Sequence, residues 1–478
     1  MFTLVLSLVF LLISQVAVAD PAVVYFDPGM THEMYGVNRL PTEPVNWTFD
    51  LHLSPFYQHS TGARNKCGLK VPLGDRLGHW EMFPLLWGDT SAAPKEFNET
   101  NYPNYYSLTE KILDLGDGTA ATEEGFEGDK DYDGDYSVTV SYEKKGLRFE
   151  FDIAMKAGFG MTVKSGIVDY YQKPFFRNAS TVQRGSTLGD FVWDTLMTDT
   201  MRHALLECEL GLDTDMYSTV AFEDTFVQLY WSQPFKCEDK KGDHIVTIHP
   251  YLGAGVWIPT GKKKDQGRAF SMPTGHDGFW GASLEVAINF EFPNTVLFNV
   301  GGSMTFFETK TQCMRVPNHR YQAGVYPFKT NVSRRYGTGW NVNCSLHAYD
   351  IMDNLSVYFD YLYSKHEQDD IRILDCEGCI DCSGSESCSG GICGCSGGSC
   401  SGGACSVGCS SLCSTADTSA FLPCKLEKDS LWKSHMIQLG FEYEVCNNLS
   451  FGVSGQTHIS GMRVYKTHTI MGTIKLVF

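Results

Sequence analysis

Beyond its first nineteen residues the chain has no charge-free apolar stretch of about 18 residues, the length a helix needs to cross a bilayer, and this excludes a helical membrane protein. Basic residues are scarce as well. Lys and Arg number 38 against 56 Asp and Glu, a net charge of −18, and no basic stripe interrupts the deficit. Such a chain is a poor partner for nucleic acid, whose phosphates demand clustered cations. Neither an H-E-x-x-H zinc helix nor a phosphate-binding loop ending in Gly-Lys-Ser/Thr is present, so these signatures lend no support to an enzyme. Apolar content is not lacking: 43% of the 478 residues are hydrophobic and 13% aromatic, ample for a buried core, which excludes disorder.

The N-terminal exception is informative. Phe2 to Val18 carries no charged side chain, and Ala17-Val18-Ala19 precedes Asp20 as a small-x-small cleavage signal. This predicts a signal peptide over 1–19 and an exported chain, with an uncleaved single-span anchor as the alternative. Seventeen cysteines fit export, where disulfides persist. Eleven are clustered: Cys376, Cys379, Cys382, Cys388, Cys393, Cys395, Cys400, Cys405, Cys409, Cys413 and Cys424. An odd number leaves at least one thiol free or paired outside the cluster. The surrounding Gly and Ser cannot bury a core, so a surface disulfide knot is predicted to shape this loop. Thiolate metal binding and crosslinking between neighbouring copies are the alternatives.

The strongest pattern is alternation with a period of two. Val45, Trp47, Phe49, Leu51 and Leu53 alternate with Asn46, Thr48, Asp50, His52 and Ser54. Trp280, Ala282, Leu284, Val286, Ile288, Phe290 and Phe292 alternate with Gly281, Ser283, Glu285, Ala287, Asn289 and Glu291. Successive strand side chains point to opposite faces, so each run is a strand with one oily side. The second run exceeds the ordinary length of about 5–6 residues and suits the roughly 9–11 tilted residues of a bilayer-crossing strand. Twelve such runs are read, at 45–54, 136–143, 147–167, 221–235, 244–258, 279–292, 295–308, 337–348, 355–364, 433–445, 449–461 and 465–478. Short turns near Lys145, Lys240, Asn294, Asp353 and Asn447 then alternate with long connections at 55–135, 169–220, 259–278, 309–336 and 365–432. The segment 147–167 also reads as a hairpin turning at Lys156-Ala157-Gly158, and ten or fourteen strands satisfy the pattern too. A transmembrane antiparallel up-and-down β-barrel is predicted, in preference to a soluble β-sandwich or propeller.

Ile470, Gly472, Ile474, Leu476 and Phe478 alternate with Met471, Thr473, Lys475 and Val477 at the end of the chain. This resembles the C-terminal strand of Gram-negative outer-membrane β-barrel proteins. The resemblance covers the architecture of 45–478 and a signature of about ten residues, although Met471 and Val477 fall on the face expected to be polar. It implies residence in the outer membrane among its lipids, and delivery by the barrel assembly machinery through the strand ending at Phe478. Residues 20–44 become a periplasmic segment or partial plug, and the Cys/Gly/Ser-rich loop at 365–432 becomes extracellular.

Strand parity directs Asp50, His52, Arg148, Glu150, Asp152, Lys164, Glu285, Asn289, Glu291, Asp360, Gln438, Glu442 and Gln456 inward. Carboxylates dominate this set, so a porin-like channel for small hydrophilic solutes with mild cation preference is expected. A closed interior of paired charges, in a structural or adhesive barrel displaying its crosslinked loop, is the alternative; a barrel enzyme finds less support. Asp129, Asp131, Asp133 and Asp135 have the spacing and the neighbouring Gly134 of a calcium loop, but the twelfth position is Val140 rather than Glu. Calcium is thus a candidate ligand, a solvated acidic loop the plainer reading, and no other cofactor is expected. The helical spacing of Leu196, Met197, Met201, Leu205 and Cys208 predicts a short helix over Thr195 to Leu210 in an outer loop.

Overall fold

A computed structural model describes residues 47–82, 100–108, 135–180, 190–374 and 421–478, apart from 61, 101, 102, 105, 106, 239, 241, 294, 295, 319–321, 353 and 447. Residues 1–19, expected to form a signal peptide, the segment 20–44 and the cysteines from Cys376 to Cys413 lie outside the described residues.

Twelve strands close into one ring: β1 (Thr48–Ser60), β2 (Asp135–Ala154), β3 (Phe159–Asn178), β4 (Thr225–Ser232), β5 (His244–Ile258), β6 (Gly281–Phe292), β7 (Val296–Phe307), β8 (Gly339–Met352), β9 (Leu355–His366), β10 (Trp432–Cys446), β11 (Leu449–Met462) and β12 (His468–Val477). Every strand pairs antiparallel with its neighbours in sequence, and β1 closes on β12 with Leu51 opposite Leu476 and Tyr57 opposite Ile470. Closure leaves the ring without an unpaired edge, the condition for backbone amides to survive in lipid. Phe478 donates its amide to the Phe49 carbonyl, so the last residue lies at the barrel end where β1 begins. The tight connections after β2, β6, β8 and β10 share that end.

The outward faces are oily. Leu229, Leu284, Leu346, Phe441, Val453 and Ile470 are all exposed although large and apolar, as are many other outward strand residues. Soluble monomers rarely expose more than a few hundred Å² of contiguous apolar surface, so this belt needs lipid as its solvent.

The turn expected near Lys145 does not exist. Lys145 pairs with Asp169 in the middle of β2 and β3, and the chain reverses at Lys156-Ala157-Gly158, where Ala157 and Gly158 take φ of 63° and 79°. The number of strands is unchanged, but the two strands are 135–154 and 159–178. The reason is an exchange of faces. Between Ala154 and Gly146 the outward residues are Ile153, Phe151, Phe149 and Leu147, while Asp152, Glu150 and Arg148 point inward. Beyond Gly146 the outward residues become Lys145, Glu143, Ser141 and Thr139, while Tyr142, Val140, Val138 and Tyr136 are buried inward. The strand has left the lipid belt: its outer side meets water and its inner side meets protein. The strand β1 likewise runs past Ser54 to Ser60.

That protein is a cap made by the long connections, all of which emerge at the end opposite Phe478. It contains two three-stranded sheets, one of Thr309–Val316, Phe328–Arg335 and Asp370–Ile373, the other of Gly62–Arg64, Lys70–Pro72 and Val464–Tyr465. Its core gathers Trp80, Leu196, Leu205, Leu206, Phe270, Met314, Val332 and Leu426 with the inward residues of the outer halves of β2 and β3. Trp80 stacks on Phe270 at 5.3 Å and meets Phe176 edge-on at 5.4 Å. Helical turns at Val192–Leu196, Asp199–Arg202 and His203–Glu209 occupy the region expected to be helical, and Leu196, Met197 and Leu205 are buried in this core. Cys424, grouped with the crosslinked cysteines above, is instead a free, exposed thiol on the helix Pro423–Ser430, while Cys313 on the first cap sheet is disulfide-bonded.

Candidate functional site

The lumen is built by parity. Each strand contributes every second residue, and the inward ones are overwhelmingly polar along the belt. Pairing places all thirteen residues directed inward by the alternation on this face, where Asp50, His52, Glu150 and Lys164 are cross-strand neighbours, as are Asp360 with Gln438 and Gln438 with Gln456. Near the closure Asp50 meets Lys475 at 3.7 Å, and His52 lies opposite both Glu150 and Lys475. Glu150 holds Lys164 at 3.0 Å. Asp152 accepts from Thr162 Oγ1 at 2.5 Å and Tyr230 Oη at 2.8 Å. Gln228 donates to Glu285 at 2.7 Å and accepts from Tyr251 at 3.0 Å. A ladder of amides runs from Asn343 through Asn299 to Asn289. Glu291 faces His249 at 3.0 Å, Asp360 faces His347 at 3.6 Å, and Glu442 accepts from Ser450 at 2.5 Å. Gln438 is hydrogen-bonded to Tyr358 and lies opposite Gln456.

Above this belt sits a hub that strand parity does not reveal. Between Lys164 opposite Phe226 and Ile167 opposite Phe222, the two residues Ser165 and Gly166 face three, Glu223, Asp224 and Thr225. This is a β-bulge, which adds one residue to a strand and re-aims its side chains. Glu223 is thereby buried inside, where it accepts from Lys144 Nζ, Arg148 Nε and Arg148 Nη2, each at 2.8 Å. The Arg148 guanidinium also lies over the Phe56 ring at 4.4 Å. Asp224 turns to the cap, accepting from the His276 amide and facing its Nδ1 at 2.9 Å.

The luminal charges are segregated. Lys144 and Arg148 are on β2, Lys164 on β3 and Lys475 on β12, all on one arc of the ring. Four carboxylates with neutral or imidazole partners, Glu285 and Glu291 on β6, Asp360 on β9 and Glu442 on β10, occupy the opposite arc, while Asp152, held by Thr162 and Tyr230, stands among the cations on β2. With Asp50, Glu150, Asp152 and Glu223, eight of the described carboxylates stand beside these four cations on the inward face. The interior has an acidic excess and a field directed across it.

Glycines shape the wall between them. A Cβ on Gly160 would stand 2.1 Å from Tyr230 Cζ, and one on Gly440 would stand 2.1 Å from Tyr358 Cζ. Each tyrosine ring therefore lies flat across a glycine of the adjacent strand, a close approach that only a missing Cβ permits.

Where lumen meets cap, rings succeed one another at 4.5–5.9 Å: Phe226, Trp257, His276, Phe307, Tyr336, His366 and Trp432. Beside them, Arg334 donates from Nε to Asp369 at 2.7 Å and from Nη1 to Asp277 at 3.1 Å, and Asp369 faces His366 at 2.9 Å. Burial pushes the Asp369 carboxyl up, but Arg334 and His366 pull it further down, leaving it below the usual carboxylate range. These contacts latch the cap to the rim.

Asp129, Asp131 and Asp133 lie outside the described residues. Asp135 begins β2, where its carboxylate is held by His79 Nδ1 at 3.2 Å.

No family model and no curated protein sequence matches the chain. Among solved structures, an outer membrane channel from Pseudomonas putida F1 is similar at 8% identity with a TM-score of 0.41, over 91% of this chain and 97% of that one. The β domain of the Bordetella autotransporter BrkA gives 8% identity and a TM-score of 0.32, over 91% and 100%. CymD, a monoaromatic hydrocarbon channel, gives 8% and 0.29, over 97% and 98%.

Proposed function

We propose that the protein is an outer-membrane channel for small hydrophilic solutes, cation-preferring and covered at its outer mouth by the cap. The observation that carries this is the two-sided wall: an apolar belt outside, and inside it a mostly polar face, interrupted by Leu297, Leu362 and Met436, on which acids outnumber bases among the described residues. A purely structural barrel gains nothing from a ring of carboxylates, since buried ion pairs add little stability over apolar packing. A polar wall with net negative charge replaces the hydration of a passing cation. Export with loss of residues 1–19, assembly through the terminal strand and the absence of a catalytic role belong to the same reading.

The test is solute uptake by liposomes carrying the folded chain. Swelling in small sugars above the protein-free rate is expected, and faster swelling once the cap is loosened. Uptake at the background rate both before and after loosening contradicts the proposal. It would favour the second reading, a surface-display barrel, for which the latch and the apolar core of the cap speak.

A further inference from the structure

The cap encloses a cavity of about 50 Å³ lined by Lys264, Arg268, Arg315 and Arg334 on one side of the charge ledger and by Asp277 on the other. In a chain with a net charge of −18 this concentration of cations is out of character and calls for an anion. Arg334 is 1% exposed. Its Nε and Nη1 are taken by Asp369 and Asp277, but its buried Nη2 meets no acceptor among the described residues. An unfilled guanidinium N–H away from water is costly, and oxyanions match its geometry. Arg315 donates to the carbonyls of Leu210, Gly211, Gln266, Tyr326 and Pro327, acceptors that carry no formal charge. Its position is rigidly set, and its field reaches the cavity. Arg268 faces Asp213 and Asp265, both at the more exposed side.

We propose that this cavity binds a small inorganic oxyanion, phosphate or sulfate, between Lys264 and Arg334. The volume admits such an ion and excludes a nucleotide. The ion would fill the open guanidinium position and join the loop carrying Lys264 to the cap sheet carrying Arg315 and Arg334, stiffening the latch. Burial and the neighbouring Arg334, Arg76 and Arg315 push the Lys264 ammonium down to about 7, with Asp277 opposing. The arginines keep their protons throughout the accessible range, so Lys264 is the cation whose charge changes near neutrality.

Titration calorimetry of the full folded chain in detergent, with sodium sulfate and sodium phosphate against chloride at constant ionic strength, tests this. Saturable one-to-one binding is expected at pH 6.5. Sulfate affinity falls as Lys264 loses its proton towards pH 9, and Lys264→Arg abolishes that fall. Lys264→Met lowers affinity about tenfold or more, the equivalent of one charge-assisted hydrogen bond, while Lys428→Met on the exposed face of the cap helix changes nothing. The absence of saturable heat with either anion overturns the proposal. So does binding that Lys264→Met leaves as tight as in the parent chain.

Discussion

Replacing Glu223 by Leu isolates the contribution of the bulge. The carboxylate makes three charge-assisted hydrogen bonds at 2.8 Å, and the side chains of Lys144, Arg148 and Glu223 are 3%, 8% and 8% exposed. Removing the acid leaves two neighbouring cations with almost no water to solvate them. Truncating one partner of a buried pair costs about 3–5 kcal/mol, and two stranded charges that also repel one another place this site at the upper end. Urea unfolding in lipid vesicles, followed by tryptophan fluorescence, reads that loss directly. The triple variant Glu223→Leu, Lys144→Met, Arg148→Met replaces the whole cluster by apolar groups and recovers most of it, because the desolvation cost disappears with the charges. A loss below about 1 kcal/mol for Glu223→Leu, the level of an exposed ion pair, would refute the reasoning, since it would mean that water reaches the hub freely.

Three further outcomes follow from the same geometry. Gly440→Val drives a side chain into the Tyr358 ring and costs about 1–3 kcal/mol by the same unfolding assay, whereas Gly440→Val with Tyr358→Ala recovers part of the loss. The Asp369 carboxyl lies below the carboxylate range, so its contribution is complete above about pH 4 and fades only as pH falls through its lower folded value. Protease accessibility of the cap should therefore stay low at pH 5 and rise well below pH 4, while Asp369→Asn shows the accessible pattern at pH 7. The lowered Lys264 acts with opposite sign: its charged form is disfavoured in the folded cap, so without added oxyanion cap stability rises as pH climbs from about 7 towards 10. Lys264→Met removes that dependence, which thermal unfolding across pH will register.

The lumen was legible because it rests on local parity. A run such as Trp280 to Phe292 states which side chains share a face before any partner strand is known, and Glu285, Asn289 and Glu291 follow from it. Parity fails where the environment on a face changes. At Gly146 the oily side of β2 moves from the outside to the inside, and a periodicity read as lipid against water registers a break, hence the turn expected at Lys145. That misplaced turn also hid Lys144. Glu223 was invisible for a different reason, because a bulge shifts parity by one residue and depends on what the neighbouring strand offers. Of the cap, only the helical stretch around Leu196 to Leu205 was legible, from its own spacing. The cap core is made by contacts such as Trp80 on Phe270 and Arg315 on Leu210, between segments far apart in the chain and without a shared period.

The segregated lumen makes its most direct claim in planar bilayers. With the folded chain inserted and a tenfold potassium chloride gradient across the membrane, a reversal potential of the sign set by cations is expected, moving towards zero when Glu285 and Asp360 are replaced by Gln and Asn. An anion-signed potential, or a membrane that stays electrically silent even after the cap has been released by Asp369→Asn, would contradict it.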